Sequence, residues 1–292
     1  VTILGIFMAL SGAVLGSFFG LLAHRWPVGR ADLFGRSRCD ACGRTLTAID
    51  LVPLVSWLAL GGRCRRCGAP VSGFFAVVEA AAAAVGAAAV AIAEVRGLGA
   101  AGLAATAIFG WALVALAAID WRHTLLPDAL TLPLLVAGLA YQGLWGPLGL
   151  PLSAATAAVA GIGLYGLAEG YWRLRGREGL GLGDVKLLAA GGAWLGPFGL
   201  SLALLIGSLA GLAFIAALAG LGRLRVSATT QIPFGPFLAV GLWTAYALGP
   251  APLMVAGPGA FAAAAGAGDA QAVRTMVLPT GNKAAPASLI WA

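Results

Sequence analysis

Eight runs of mostly apolar residues, separated by short polar breaks, dominate this sequence: 2–23, 71–93, 98–119, 127–145, 148–170, 185–198, 200–222 and 235–256. About 20 such residues let a helix cross the hydrocarbon core of a bilayer, where only helices and closed barrels satisfy their own backbone hydrogen bonds. The runs therefore predict an all-α, polytopic membrane protein with about eight transmembrane helices. Composition supports this reading, with 10% of residues charged against about 25% in soluble domains. The sixth run is short and the fourth contains Pro133, so both are expected to be tilted, kinked or sheltered by neighbours. Abundant Gly and Ala suit helices that pack closely through small residues.

Basic residues set the expected orientation. With eight spans, the segments 24–70, 120–126, 171–186 and 223–234 share one side and carry fifteen of the eighteen Lys and Arg residues. Only Arg96, Arg274 and Lys283 fall on the other side. The positive-inside rule then places the first side in the cytoplasm and both termini outside. The net charge of +7 follows from topology and anionic lipid, and implies no nucleic-acid partner. The first run lacks a basic n-region and leads into "HRWP", so it is expected to be a retained span and not a signal peptide. The expected organisation is a first helix at 1–23, a cytoplasmic four-cysteine loop at 24–70, a helical core at 71–256 and an Ala/Gly-rich, poorly ordered tail at 257–292.

All four cysteines lie in the one long polar loop, as "CDAC" (39–42) and "CRRC" (64–67) with 21 residues between the pairs. Two C-x2-C knuckles at about this distance supply the four thiolates of a tetrahedral zinc site. Gly43 and Gly68 follow the pairs and let each knuckle turn tightly. Disulfides are disfavoured in a cytoplasmic loop, and a redox C-x-x-C is disfavoured by duplication without thioredoxin-like surroundings. Four thiolates leave no open position, so a metal bound by Cys39, Cys42, Cys64 and Cys67 would staple the loop without catalysing anything.

Of eleven acidic residues, Asp120 ends the third run in "ALAAIDWRHTLLPD" and Asp184 opens the sixth in "GLGLGDVKLL". Both sit at the same edge, so packing of the two helices would bring two carboxylates together. Two adjacent carboxylates do not both ionise comfortably, and a pair sharing one proton can activate water and polarise an amide carbonyl. Gly179, Gly181 and Gly183 permit a bent, close-packed backbone beside Asp184. The plainer alternative is a helix cap at Asp184 and a solvated Asp120. Asp128 reads as an ordinary helix N-terminus, and His24 and His123 as solvated. Glu79 lies inside the second run, where a buried role with a partner is the default.

"GSFFGLLAHRWP", the paired C-x2-C loop, "IDWRHTLLPD", "GLGLGDVKLLAA" and "IPFGPFLA" at 232–239 occur in the order found in bacterial type IV prepilin peptidases, and the sequence resembles that family to about residue 250. The resemblance implies a GxGD-type membrane aspartyl protease that cleaves the basic leader from type IV prepilins or type II secretion pseudopilins at the cytoplasmic face of the inner membrane. It further implies N-methylation of the new N-terminus with S-adenosylmethionine. Asp120 and Asp184 match the family's catalytic aspartates. Glu79 matches a family acidic position, and Glu79, Gly181, Gly183 and Lys186 are candidates for substrate or cofactor binding. Gly20 stands where relatives carry asparagine, removing an amide that could serve methyl transfer, so a protease-only member is one alternative. A transporter would instead place acids near the bilayer midplane. A non-catalytic assembly subunit would not need both aspartates.

Overall fold

The computed structural model describes residues 2–26, 35–176, 179–222 and 233–249, and the expected tail at 257–292 lies outside them. All regular structure there is helical apart from two isolated β-bridges. The helices are α1 (Thr2–Arg25), α2 (Val55–Ala59), α3 (Gly73–Val95), α4 (Ala100–His123), α5 (Asp128–Leu144), α6 (Gly149–Arg175), α7 (Leu182–Gly220) and α8 (Gly235–Leu248). Among the described residues five helices, α1, α3, α4, α6 and α7, are long and apolar enough to cross a membrane, and α5 and α8 are shorter apolar helices. The chain is thus a multi-pass membrane protein.

The sixth and seventh apolar runs meet in α7, which is not one rod. Its 39 residues would extend about 58 Å if straight, twice a hydrocarbon core. At Gly196 the backbone leaves helical geometry (φ 66°, ψ −176°), and Pro197 follows. Packing against α8 shows the consequence. Before the break Gly191 abuts Leu242, whereas after it Gly207 abuts Phe237 and Leu238, and Gly241 abuts Ala203. Higher numbers therefore move along α8 in opposite directions, so the chain reverses at Gly196. The break falls two to three residues earlier than hydropathy suggested, because Phe198 is as apolar as its surroundings and only the Gly-Pro pair marks the turn.

The reversal frees backbone groups that water cannot reach. The Trp194 carbonyl accepts from Gln142 Nε2 (2.8 Å), and Gln142 Oε1 accepts from the Leu148 N–H (3.2 Å). Gln142 is buried on α5, so one side-chain amide satisfies both the Trp194 carbonyl beside the break and the Leu148 N–H at the start of α6. Trp194 is the hub of this layer. Its ring stacks on Phe109 of α4 at 4.7 Å and on Tyr141 of α5 at 5.8 Å, and its Nε1 donates to the Leu134 carbonyl at 2.9 Å. Gly138 admits it, since a Cβ there would lie 2.6 Å from the indole.

A second seam joins α1 to α3 through Gly12, Gly16 and Gly20, all buried. A Cβ on Gly16 would lie 2.7 Å from the Glu79 Cα, and one on Gly20 would lie 2.9 Å from Phe75 Cδ1. Gly20 is therefore a packing position covered by the Phe75 ring. An asparagine there would have to displace that ring. At the far end of the bundle Arg96 donates to the Tyr246 and Ala247 carbonyls, capping α8.

Replacing Gln142 by Leu leaves the Trp194 carbonyl and the Leu148 N–H unpaired. The variant should lose about 1–3 kcal/mol of stability, read as a lowered melting midpoint of the detergent-solubilised protein. An unchanged midpoint would show that the break is satisfied by other means.

Candidate active site and cysteine module

The two sequence-predicted carboxylates sit at one end of the bundle. Asp120 lies in the last turn of α4 and Asp184 in the first turn of α7. They are eleven and ten residues from Phe109 and Trp194, whose rings stack, so two antiparallel helices of equal rise bring them to the same level. They are close enough for the charge of Asp120 to act on Asp184. Asp120 is not a solvated edge residue, being 5% exposed. Its Oδ2 accepts the Gly235 N–H at 2.9 Å, at the N-terminus of α8, where unpaired N–H groups favour an anion. Gly235 has to be glycine, because a Cβ would lie 2.7 Å from that same oxygen.

Around Asp184 the glycines have separable roles. Gly181 caps α7, and an added Cβ would lie 3.4 Å from Asp184 Oδ2. Gly183 lets α7 close on the α4–α5 connection, where a Cβ would lie 2.9 Å from that of Leu126. Lys186 Nζ pairs with Asp128 Oδ1 at 2.6 Å on the exposed surface. That pair also gives Asp128 a partner beyond its place at the start of α5. Next to Asp120, half-exposed Trp121 meets Phe214 edge-on at 5.9 Å, and Phe214 leans on Phe237 at 5.3 Å.

The cysteine module lies at this same end. Its knuckles repeat one design: the Cys39 N–H bonds the Arg44 carbonyl and the Gly43 N–H bonds the Cys39 carbonyl, while Cys64, Ala69 and Gly68 do the same. Gly43 and Gly68 have φ of 66° and 71°, the left-handed geometry that the turn requires. All four Sγ atoms lie within 4.8 Å of one another, with Cys39 Sγ 3.8 Å from Cys67 Sγ. A tetrahedron of ~2.3 Å metal–sulfur bonds has edges of about 3.8 Å, so the four residues fit one metal ion. The N–H groups of Cys67 and Arg66 hold the Cys64 thiol down to about 6, which suits a thiolate ligand.

Asp50 ties the knuckles together. It accepts from the Thr47 hydroxyl (2.8 Å) and N–H (3.1 Å), from Arg44 of the first knuckle (3.1 Å) and from Arg65 of the second (2.9 Å). Thr47 first, then Arg65 and Arg44, hold its carboxyl down to about 2. Glu79, whose partner the sequence left unnamed, accepts the Leu54 N–H at 2.7 Å and so moors the module to α3. His24 and His123 are half-buried, and each has a partner. Arg122 Nη1 lies 2.9 Å from His24 Nδ1, and His123 Nε2 lies 2.7 Å from the Ala23 carbonyl. Gly235, Arg122, His24 and His123 were missed as site residues. Their signal was present only as membership of the motifs quoted above: His24 in "GSFFGLLAHRWP", Arg122 and His123 in "IDWRHTLLPD", and Gly235 in "IPFGPFLA".

Two family models match the chain. One, described as the bacterial peptidase A24 N-terminal domain, matches residues 10–93 and contains the cysteine module. The other, the type IV leader peptidase family, matches residues 107–216 and contains both aspartates. A prepilin leader peptidase/N-methyltransferase of Burkholderia pseudomallei is 39% identical over 80% of this chain and 82% of its own length. One of Aeromonas hydrophila is 44% identical over 81% and 88%, and one of Dichelobacter nodosus 36% over 73% and 71%. No solved structure matches. With both halves of the chain matched in order and relatives this similar over four-fifths of its length, the chain belongs to the type IV prepilin leader peptidase family, peptidase A24.

Proposed function

We propose that this protein cleaves the leader peptide from prepilins or pseudopilins by aspartyl proteolysis, with Asp120 and Asp184 as the carboxylate pair, and then methylates the new N-terminus. The observation that carries the reading is the meeting of these two residues at one level, from the ends of different helices, beside the N-terminus of α8. One carboxyl is ionised and takes a proton from water as the water oxygen attacks the scissile carbonyl carbon. The other is protonated and donates to the carbonyl oxygen. Collapse of the tetrahedral intermediate breaks the C–N bond, and the proton taken from water passes to the leaving amine. The Gly235 N–H orients Asp120 by one oxygen, leaving Oδ1 for water.

In the same reading the chain crosses the inner membrane eight times. The segments before and after the Gly196 reversal count separately, and α5 and α8 cross as short, sheltered helices. The active site and the cysteine module then face the cytoplasm, on the side with most of the basic residues. The module binds zinc as a structural ion. S-adenosylmethionine, the methyl donor for the second activity, fits the cavity of about 940 Å³ between the module, α1 and α3, a volume typical of small-molecule sites. Glu79, which lines that cavity, supplies negative charge suited to a sulfonium.

Replacing either Asp120 or Asp184 by Asn should remove nearly all cleavage of a prepilin peptide while leaving membrane insertion unchanged. Substantial turnover by either variant would end the assignment. Asp128→Asn should be mild, because an exposed pair such as Lys186–Asp128 contributes at most about 1 kcal/mol. Mass analysis of products made with and without S-adenosylmethionine should show a shortened peptide in both cases and one added methyl group only with the donor. Cleavage without methylation would support the protease-only alternative.

Elemental analysis of gently purified protein should find one zinc per chain. Replacing one of the four cysteines should abolish it and open residues 38–68 to proteolysis. Zinc-free protein with the same proteolytic resistance would refute the structural role.

A further inference from the structure

Aspartyl chemistry requires each carboxylate to be held to a fraction of an ångström, and a helix end is where such control is hardest, since its last carbonyls lack intrahelical partners. The Gly235 N–H restrains Asp120 on the α8 side. Two residues on, about 200° round the helix, Arg122 points the other way, towards α1 and α3. Its Nη1 is 2.9 Å from His24 Nδ1, and its guanidinium lies 4.4 Å over the ring of Phe74 and 5.8 Å from that of Phe75. Among the described residues no carboxylate pairs with Arg122, so its charge rests on an imidazole nitrogen and aromatic faces. His123 makes the second tie, donating from Nε2 to the Ala23 carbonyl, one of the last four carbonyls of α1, which that helix cannot satisfy itself.

We propose that Arg122 and His123 are positioning residues for the peptidase reaction: together they latch the last turn of α4 to the last turn of α1 and thereby fix Asp120. The inference rests on Asp120 being one of the reacting carboxylates. The latch also sets the His24 tautomer. An arginine can only donate, so Nδ1 accepts and Nε2 carries the proton, facing Asp40 Oδ2 at 4.0 Å inside the first cysteine knuckle. Through His24 the knuckle and the carboxylate helix share one side chain. The rival account treats Arg122 and His123 as ordinary basic residues at a helix C-terminus, favourable to the dipole and to anionic lipid. Such a role depends on charge and not on which atom of His24 accepts.

The test is steady-state cleavage of a prepilin by the full chain in nanodiscs. Arg122→Leu and His24→Leu should each lower kcat on the order of 10- to 100-fold with KM held within about twofold. The double variant should be no worse than either single one, because they remove the same bond. His24→Asn, whose Oδ1 accepts where Nδ1 did, should restore most of kcat, and His123→Gln, which keeps a donor at the Nε2 position, should outperform His123→Leu. Unchanged kcat in Arg122→Leu, additive losses in the double variant, or equal loss in His24→Asn and His24→Leu would each overturn the latch. Full cleavage by Asp120→Asn would instead overturn the assignment of Asp120 beneath it.

Discussion

The stack of Trp194 on Phe109 sets the register on which the candidate active site depends. Neither aspartate can find the other directly, because α4 and α7 have no specific polar contact along their length that would fix how far one slides against the other. An aromatic pair at 4.7 Å, locked by an indole N–H bond to Leu134 and admitted by Gly138, does fix it. The reversal at Gly196, two residues after Trp194, then sends the rest of α7 back along α8. The result clasps α8 between two antiparallel segments and holds its N-terminus, with Gly235, against Asp120.

In a bilayer the surroundings cannot supply hydrogen bonds, so buried polar groups look for partners within the protein; among the described residues buried Ser153 Oγ has none. The others complete contacts of the fold. Thr106 bonds Tyr246 and its own helix, Gln142 serves the Gly196 break, Thr131 and Thr156 return to carbonyls one turn back, and Glu79 holds Leu54. Thr106, Thr131, Thr156 and Gln142 complete fold contacts and have little left to offer a substrate, whereas Glu79 also lines the cavity between the module, α1 and α3. Asp120 differs: one oxygen accepts one backbone N–H, and its neighbour in space is another carboxylate. A buried acid close to another acid is a poor structural device, which supports the proposed role of Asp120 in the reaction.

Much of this was legible in the sequence, for reasons of period and spacing. Eight apolar runs correspond to α1, α3, α4, α5, α6, the two segments of α7, and α8. The four cysteines converge as their two pairs implied, since a knuckle is a local turn that five residues specify. What the sequence left dark is long-range and polar. Glu79 and Leu54 lie 25 residues apart, Lys186 and Asp128 58, and Asp120 and Gly235 115, and no periodicity connects them. Lys186 reads as a possible substrate contact beside "GLGD", and nothing local in the sequence announces that Asp128 pairs with it. His24 and His123 read as solvated because a basic segment gives no hint that its imidazoles meet the end of another helix. Gly235 was visible only as part of a motif; its role requires knowing that Asp120 occupies the space of its missing side chain.

The cysteine module lies outside the apolar core yet is joined to it at points that matter for the carboxylates. Glu79, opposite Gly16 within the α1–α3 glycine seam, moors it to α3, and Phe75, which covers Gly20 in that seam, meets the His24 ring at 5.8 Å. His24 in turn meets Arg122, two residues from Asp120. The path from knuckle to carboxylate therefore runs through packed side chains, each with a partner on either side, and not through the flexible length of a loop. A module that only sat on the membrane surface would have no need of a glutamate buried within α3, since moving that carboxylate away from water costs more than any exposed tether would. Its burial makes physical sense if the position of the module relative to α1, α3 and α4 is itself part of what the protein has to hold constant.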